Sequence, residues 1–252
     1  MRSSLLEVCV DSYESAVRAA RGGAQRLELC ANLMIGGTSP SFPLIRQVHR
    51  AVEIPVNVLL RPRFGDFCHT AEEKQVLLEE IDFCADEGVN GVVIGALTPE
   101  GELDMEFLAR CVRAAKEKGL KFTLHRCFDV CRDPMMALEQ AVRLGFDTIL
   151  TSGQEATAPK GAALLARLNE AAGDRIHIMA GSGVNPENIR QLYGLTGITH
   201  FHMSAKRTEP GPMLFRNNAV PMGLPIASEY DRQYCDAQAV ASARAVLDSI
   251  DG

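Results

Sequence analysis

The sequence predicts a single-domain α/β protein, a TIM (β/α)8 barrel, and three observations predict it. One phrase recurs along the chain: a glycine closing a helical stretch, a few residues, then a short apolar run. It is written as "GGAQRLELC" (22–30), "EGVNGVVIG" (87–95), "KGLKFTLH" (118–125) and "LGFDTILTSG" (144–153). Glycine is common just past a helix end because it alone takes the left-handed backbone cheaply, so each phrase reads as a helix C-terminus feeding a strand. Read on this basis, eight strands and eight helices alternate strictly over 252 residues. Such alternation with right-handed crossovers requires a parallel sheet, and that count is a closed barrel's. The doubly wound alternative lacks its signature, since "CVDSYES" after the first strand contains no glycine.

The elements follow in order. Strand 5–10 leads through Asp11 and Ser12, both helix-starting residues, into helix 12–21. Strand 26–30 precedes helix 41–52, and strand 55–60 precedes helix 70–87, which Thr70 opens. Strand 91–95 pairs with helix 104–118, and strand 121–125 with helix 133–144, whose Asp133-Pro134 start suits a first turn. Strand 148–151 leads to helix 160–172, and strand 176–181 to helix 186–193 after Asn185-Pro186. Strand 198–204 and helix 236–248 complete the set, with one domain expected over 1–252. Between them "RTEPGPMLFRNNAVPMGLPIASEYDR" (207–232) reads as irregular, and a connection so long is expected to be a lid or a dimer contact.

Composition narrows the function classes. At 46% hydrophobic and 23% charged the chain is an ordinary globular protein, and its net charge of −6 offers nothing to nucleic acid or an anionic membrane. Small molecules or metal ions are the expected partners. No apolar run approaches the length of a spanning helix, and eight scattered cysteines without framework spacing read as free thiols in the cytoplasm.

Strand side chains alternate, so residues two apart share a face. Leu6, Val8, Leu27 and Leu29 suit the outer, helix-facing side, which turns Glu7, Cys9, Glu28 and Cys30 inward. The same alternation sends Asn57, Leu59 and Arg61 inward on strand three, Thr123 and His125 on strand five, and His200, His202 and Ser204 on strand eight. Barrel interiors are normally filled by Val, Ile and Leu, so charges there must pair with one another or face a polar cavity at the C-terminal mouth. One reading pairs Glu7 and Glu28 with Arg61, Arg63 or Arg126 in structural ion pairs. The other makes Glu7 or Glu28 and His125 acid–base groups, with the pocket formed by Asn57, Arg61, Arg63, Arg126, His202 and Ser204. Arg61, ahead of a proline, is held extended toward the mouth, and arginine suits carboxylate or phosphate.

After strand seven, "AGSGVNPENI" offers Gly181 and Gly183 where barrels often bind phosphate through backbone N–H groups, with Lys206 or Arg207 adding charge. Cys9 and Cys30 stand on neighbouring parallel strands, and thiolates are soft ligands that select Cu(I). No C-x-x-C motif occurs, and Cys84 and Cys111, on helical faces, read as packing residues.

Seven motifs, "LEVCVDS", "GGAQRLELC", "GGTSPS", "RPRFGDF", "LHRCFD", "LTSG" and "FHMSAKR", occur in order along most of the chain and resemble the CutC family of copper homeostasis proteins. The resemblance implies a TIM barrel, a cytoplasmic homodimer and copper(I) as the bound species, with Cys9 and Cys30 as the Cu(I) ligands. The chain departs from the family pattern at Gly181-Ser182-Gly183, where three glycines are usual, and at Cys127, where alanine is common. The residues themselves also support a different expectation: a barrel enzyme acting on a small phosphorylated or carboxylated metabolite.

Overall fold

The computed structural model describes residues 4–220, 222–223 and 228–252. Eight parallel strands close into a barrel: β1 (Leu5–Val10), β2 (Arg26–Leu29), β3 (Val56–Leu59), β4 (Gly91–Ile94), β5 (Lys121–Leu124), β6 (Thr148–Thr151), β7 (His177–Ala180) and β8 (His200–Met203). The barrel closes where β8 pairs with β1, with Glu7 opposite His202 and Val8 opposite Met203. Helices α1 (Tyr13–Arg21), α2 (Phe42–Ala51), α3 (Ala71–Asp86), α4 (Met105–Glu117), α5 (Pro134–Leu144), α6 (Ala162–Ala172) and α7 (Ile189–Thr196) follow the first seven strands, and α8 (Ala237–Asp251) ends the chain.

Local chemistry starts most of these helices. Ser12, Asp104, Asp133 and Asp236 each accept a hydrogen bond from a first-turn N–H, and Thr70 forms a full capping box with Glu73. The outward residues of the strands, including Leu6, Val8, Leu27, Val58, Val92, Phe122, Ile149 and Phe201, are all fully buried against the helices. That packed shell is the main hydrophobic core, and it fixes strand register because a slip of one residue would turn every apolar side chain inward.

Two expectations are corrected. Helix α7 begins at Ile189 rather than at 186, because Asn185 Oδ1 accepts the N–H groups of Glu187 and Asn188 and makes a separate turn before the helix. Within the segment expected to be irregular, β9 (Lys206–Pro210) and β10 (Asp231–Cys235) form an antiparallel pair. Its residues are mostly exposed and polar, so no apolar alternation announced it. The lid or dimer role expected for 207–232 falls partly on 221 and 224–227, outside the described residues.

The inward side chains stack in layers drawn from alternate strands. Glu7, Asn57, Thr123 and Met179 form one; Glu28, Val93, Leu150 and His202 form the next toward the mouth; Cys9, Leu59, His125 and Gly181 form the third. In the third layer Cys9 on β1 faces His125 on β5 across the barrel. The glycine at 181 leaves part of that layer without a side chain, and above it the barrel opens.

Candidate functional site

The opening is a cavity of about 320 Å³ at the C-terminal mouth, lined among others by Cys9, Glu28, Cys30, Arg61, His125 and His202. This is where barrels carry their chemistry, because strand ends and loops converge there. Two walls with different character face each other.

The first wall comes from β8, β1 and β2. His202 Nε2 lies 2.8 Å from Glu28 Oε2 and 4.0 Å from Glu7 Oε1. Cys9, Glu28 and His202 are all buried, and one sulfur, one carboxylate oxygen and one imidazole nitrogen from them lie within 4.8 Å of one another. Burial by itself would lower the His202 pKa, but the charge and hydrogen bonds of Cys9 and Glu28 outweigh it and hold the ring well above its ordinary value. Cys30 is packed beside Cys9, Leu59 and Val93, with its Sγ 3.8 Å from the Glu28 carbonyl oxygen. Burial first, then the nearby Glu28 and Cys9, push its thiol well above the ordinary range.

Glu7 does not line the cavity. It sits in the layer beneath, where Arg26 Nε donates to it at 2.5 Å and Asn57 Nδ2 approaches at 3.4 Å. Asn57 is therefore a support for Glu7, and its own Oδ1 accepts from Asn90 at 2.7 Å. The expected pairing of Glu7 and Glu28 with Arg61, Arg63 or Arg126 is corrected: the partners are Arg26 and His202. Arg26 stands two residues before Glu28 on the same inward line, so alternation alone could have found it. The Glu28–His202 contact joins β2 to β8 through barrel closure and leaves no local signal in the sequence.

The second wall comes from the ends of β3, β5 and β7. Arg61 is buried, and its terminal nitrogens donate to the carbonyls of Gly37 at 3.1 Å and Gly65 at 2.8 Å. Burial, then neighbouring Arg63, lowers its pKa. His125 is buried as well; its Nδ1 accepts the Cys127 N–H at 3.1 Å. Burial, then Arg61 and His69, bring its pKa down to about 3, so the ring is neutral near pH 7. Gly95 makes room for it: a Cβ there would stand 2.7 Å from His125 Cε1 and 2.2 Å from Cys127 Sγ.

The remaining candidates divide. Gly183 lines the cavity beside Ser182, both in left-handed backbone with φ +70° and +74°. Gly181 serves packing, since a Cβ there would fall 2.5 Å from Leu150 Cδ1. Ser204 and Lys206 line the rim. Arg126 also lines it but is tied to Asp129 at 2.7 Å and Ser152 at 3.1 Å. Arg63 is turned away: it pairs with Asp66 at 3.0 Å and Glu73 at 2.7 Å. Phe67, to which the sequence assigns no role, packs against both donors of this second wall, 4.9 Å from the Arg61 guanidinium and 4.9 Å from the His125 ring.

A model of the CutC family matches residues 4–207. The chain belongs to the CutC family. It is 44% identical to a family protein CutC of Parabacteroides distasonis, over 94% of this chain and 97% of that one. It is 42% identical to the copper homeostasis protein cutC homolog of Homo sapiens, over 98% of this chain and 90% of the human one. Among solved structures it is similar to the CutC protein of Streptococcus agalactiae, with a TM-score of 0.76 and 31% identity, over 80% of this chain and 98% of that one. No helix among the described residues is long and apolar enough to cross a membrane.

Proposed function

We propose that this CutC-family chain takes part in copper homeostasis in the cytoplasm by holding Cu(I) at the barrel mouth. Cys9 and His202 are the ligands, Cys30 is the second sulfur within reach, and Glu28 orients the imidazole. The convergence of the Cys9 sulfur with the His202 nitrogen and the Glu28 carboxylate within 4.8 Å carries the reading. Thiolate and imidazole suit Cu(I), while a carboxylate, a harder donor, works better as the group that aligns a ligating histidine. Binding must displace the proton that burial keeps on Cys30 if that sulfur joins the site, which makes loading pH-dependent and favours it at higher pH. The homodimer implied by the family belongs to the same proposal, supported by the exposed Leu214 and Phe215 beyond β9.

Anaerobic titration of reduced protein with Cu(I) against a competing chelator tests this. The expected dissociation constant is below about 1 μM, and Cys9→Ser is expected to weaken it by about 100-fold or more, with Cys30→Ser weakening it less. Micromolar or poorer affinity in the natural sequence, or affinity that survives Cys9→Ser, would sink the proposal.

A further inference from the structure

The copper reading uses one wall of the cavity and leaves the other unexplained. On that second wall two donors are buried without partners: Arg61 Nε and His125 Nε2 have no hydrogen bond among the described residues. Neither is an accident of a loose surface, since Arg61 is 7% exposed and His125 4%. Arg61 also has no carboxylate within ion-pair distance among the described residues, and its hydrogen bonds go to neutral carbonyls. A buried guanidinium without an anion is costly to maintain, which makes it a strong sign of an absent charged partner.

We infer that this wall binds the head of a small organic carboxylate, with Arg61 Nε and His125 Nε2 donating to its two oxygens. Because the Cys127 N–H occupies Nδ1 of His125, the ring's hydrogen lies on Nε2, where it can only donate. Phe67 packs against both groups and holds them side by side. Two donors on one side of a planar ring make a two-point receptor for a planar acceptor, the fit that arginine gives a carboxylate. Leu33, Leu59 and Leu150 line the same cavity together with polar residues such as Ser204 and Lys206, so the body of the ligand is short and carries both apolar and polar groups. Ser182 and Gly183, whose backbone N–H groups make no hydrogen bond among the described residues, lie at the rim for any further polar group on it. The inference is independent of copper and is tested on metal-free, reduced protein.

Calorimetric titration of the full chain with lactate, pyruvate and succinate, and with inorganic phosphate as comparator, provides the test. At least one carboxylate is expected to bind at about 1 mM or tighter, and Arg61→Met and His125→Phe each to weaken it about tenfold or more. His125→Gln, which keeps an N–H donor, is expected to recover part of that loss. Should the variants fail to fold, the His125 imidazole N–H resonance of the natural sequence decides: it is expected to shift on addition of the binding carboxylate. The inference is overturned if no carboxylate binds below about 10 mM, if phosphate binds more tightly than all of them, if Arg61→Met is without effect, or if the imidazole signal stays still.

Discussion

On the wall built by β8, β1 and β2, His202 meets Glu28, and in the layer beneath Glu7 meets Arg26 through one carboxylate oxygen while its other oxygen, Oε1, has no hydrogen bond among the described residues. Across the cavity, on β3 and β5, Arg61 and His125 keep buried nitrogens that nothing in the described chain satisfies. The two walls share one fold, one cavity and similar burial, so position in the barrel does not explain the difference. A wall whose charges are paired is stable when empty, and would give up a proton or a hydrogen bond to accept a metal ion. A wall of orphan donors is complete only when an acceptor arrives. On the proposals above, one mouth would take two kinds of ligand, and changes that reach one wall and spare the other can break that contrast.

The largest such change is Gly95→Ala. The added methyl would stand 2.2 Å from Cys127 Sγ and 2.7 Å from the His125 ring, both fixed inside the barrel. Overpacking of this kind costs about 3 kcal/mol. Urea unfolding is expected to show that loss, and carboxylate binding is expected to vanish, because the displaced ring is the one that donates. Cu(I) affinity is expected to persist, since Cys9 and His202 lie on the far side. Equal damage to both ligands would mean that the walls are one mechanical unit and the comparison is empty.

The next change is smaller and depends on pH. Arg61 is held by reciprocal hydrogen bonds with Ser39: its N–H donates to Ser39 Oγ at 2.9 Å, and its carbonyl accepts the Ser39 N–H at 2.9 Å. Ser39 Oγ in turn donates to Glu80 at 2.8 Å. Burial raises the Glu80 carboxyl from its ordinary 4.5 to about 6, against the lowering effect of that hydrogen bond. The fold thus favours the protonated acid. Its stabilising contribution is complete below about pH 4.5 and is lost as pH rises through about 6, so at pH 8 an ionised Glu80 burdens the support of Arg61. Glu80→Gln keeps a neutral acceptor for Ser39, and is expected to raise stability by roughly 2 kcal/mol at pH 8 and by nothing at pH 4.5. Urea midpoints at the two pH values check this, and an equal gain at both would remove Glu80 from the titrating part of the wall.

How much of this was legible in the sequence differs between scaffold and site. All eight barrel strands and the start of nearly every helix could be read, because caps such as Thr70 and alternation such as Leu6, Val8 and Val10 are local signals. The hairpin of β9 and β10 could not, since its stability comes from pairing between Lys206–Pro210 and Asp231–Cys235, across a long excursion, rather than from any apolar pattern. Within the site, alternation named the inward residues but not their partners. Glu28 meets His202 only because the barrel closes, with 174 residues between them. Arg61 and Arg63 look equivalent in "RPRF", yet one is buried with an unpartnered nitrogen and the other is tied to a loop; the two-residue step and the proline between them do not say which.

That last pair supplies the finest test of the comparison. Arg63 carries the same charge as Arg61 and sits two residues away, so a purely electrostatic account of the mouth would value them alike. Its guanidinium, however, is engaged by Asp66 and Glu73 at a side-chain exposure of 36%, and also donates to the carbonyls of Asp66 and Cys68. Exposed pairs of this sort contribute little because water screens them and the side chains must be ordered. Arg63→Ala is expected to lower stability by no more than about 1 kcal/mol in urea unfolding. Carboxylate affinity by calorimetry is expected to change by less than about threefold, against tenfold or more for Arg61→Met. A loss at Arg63 as large as that at Arg61 would show that net positive charge around the mouth, rather than the two buried donors, holds the ligand.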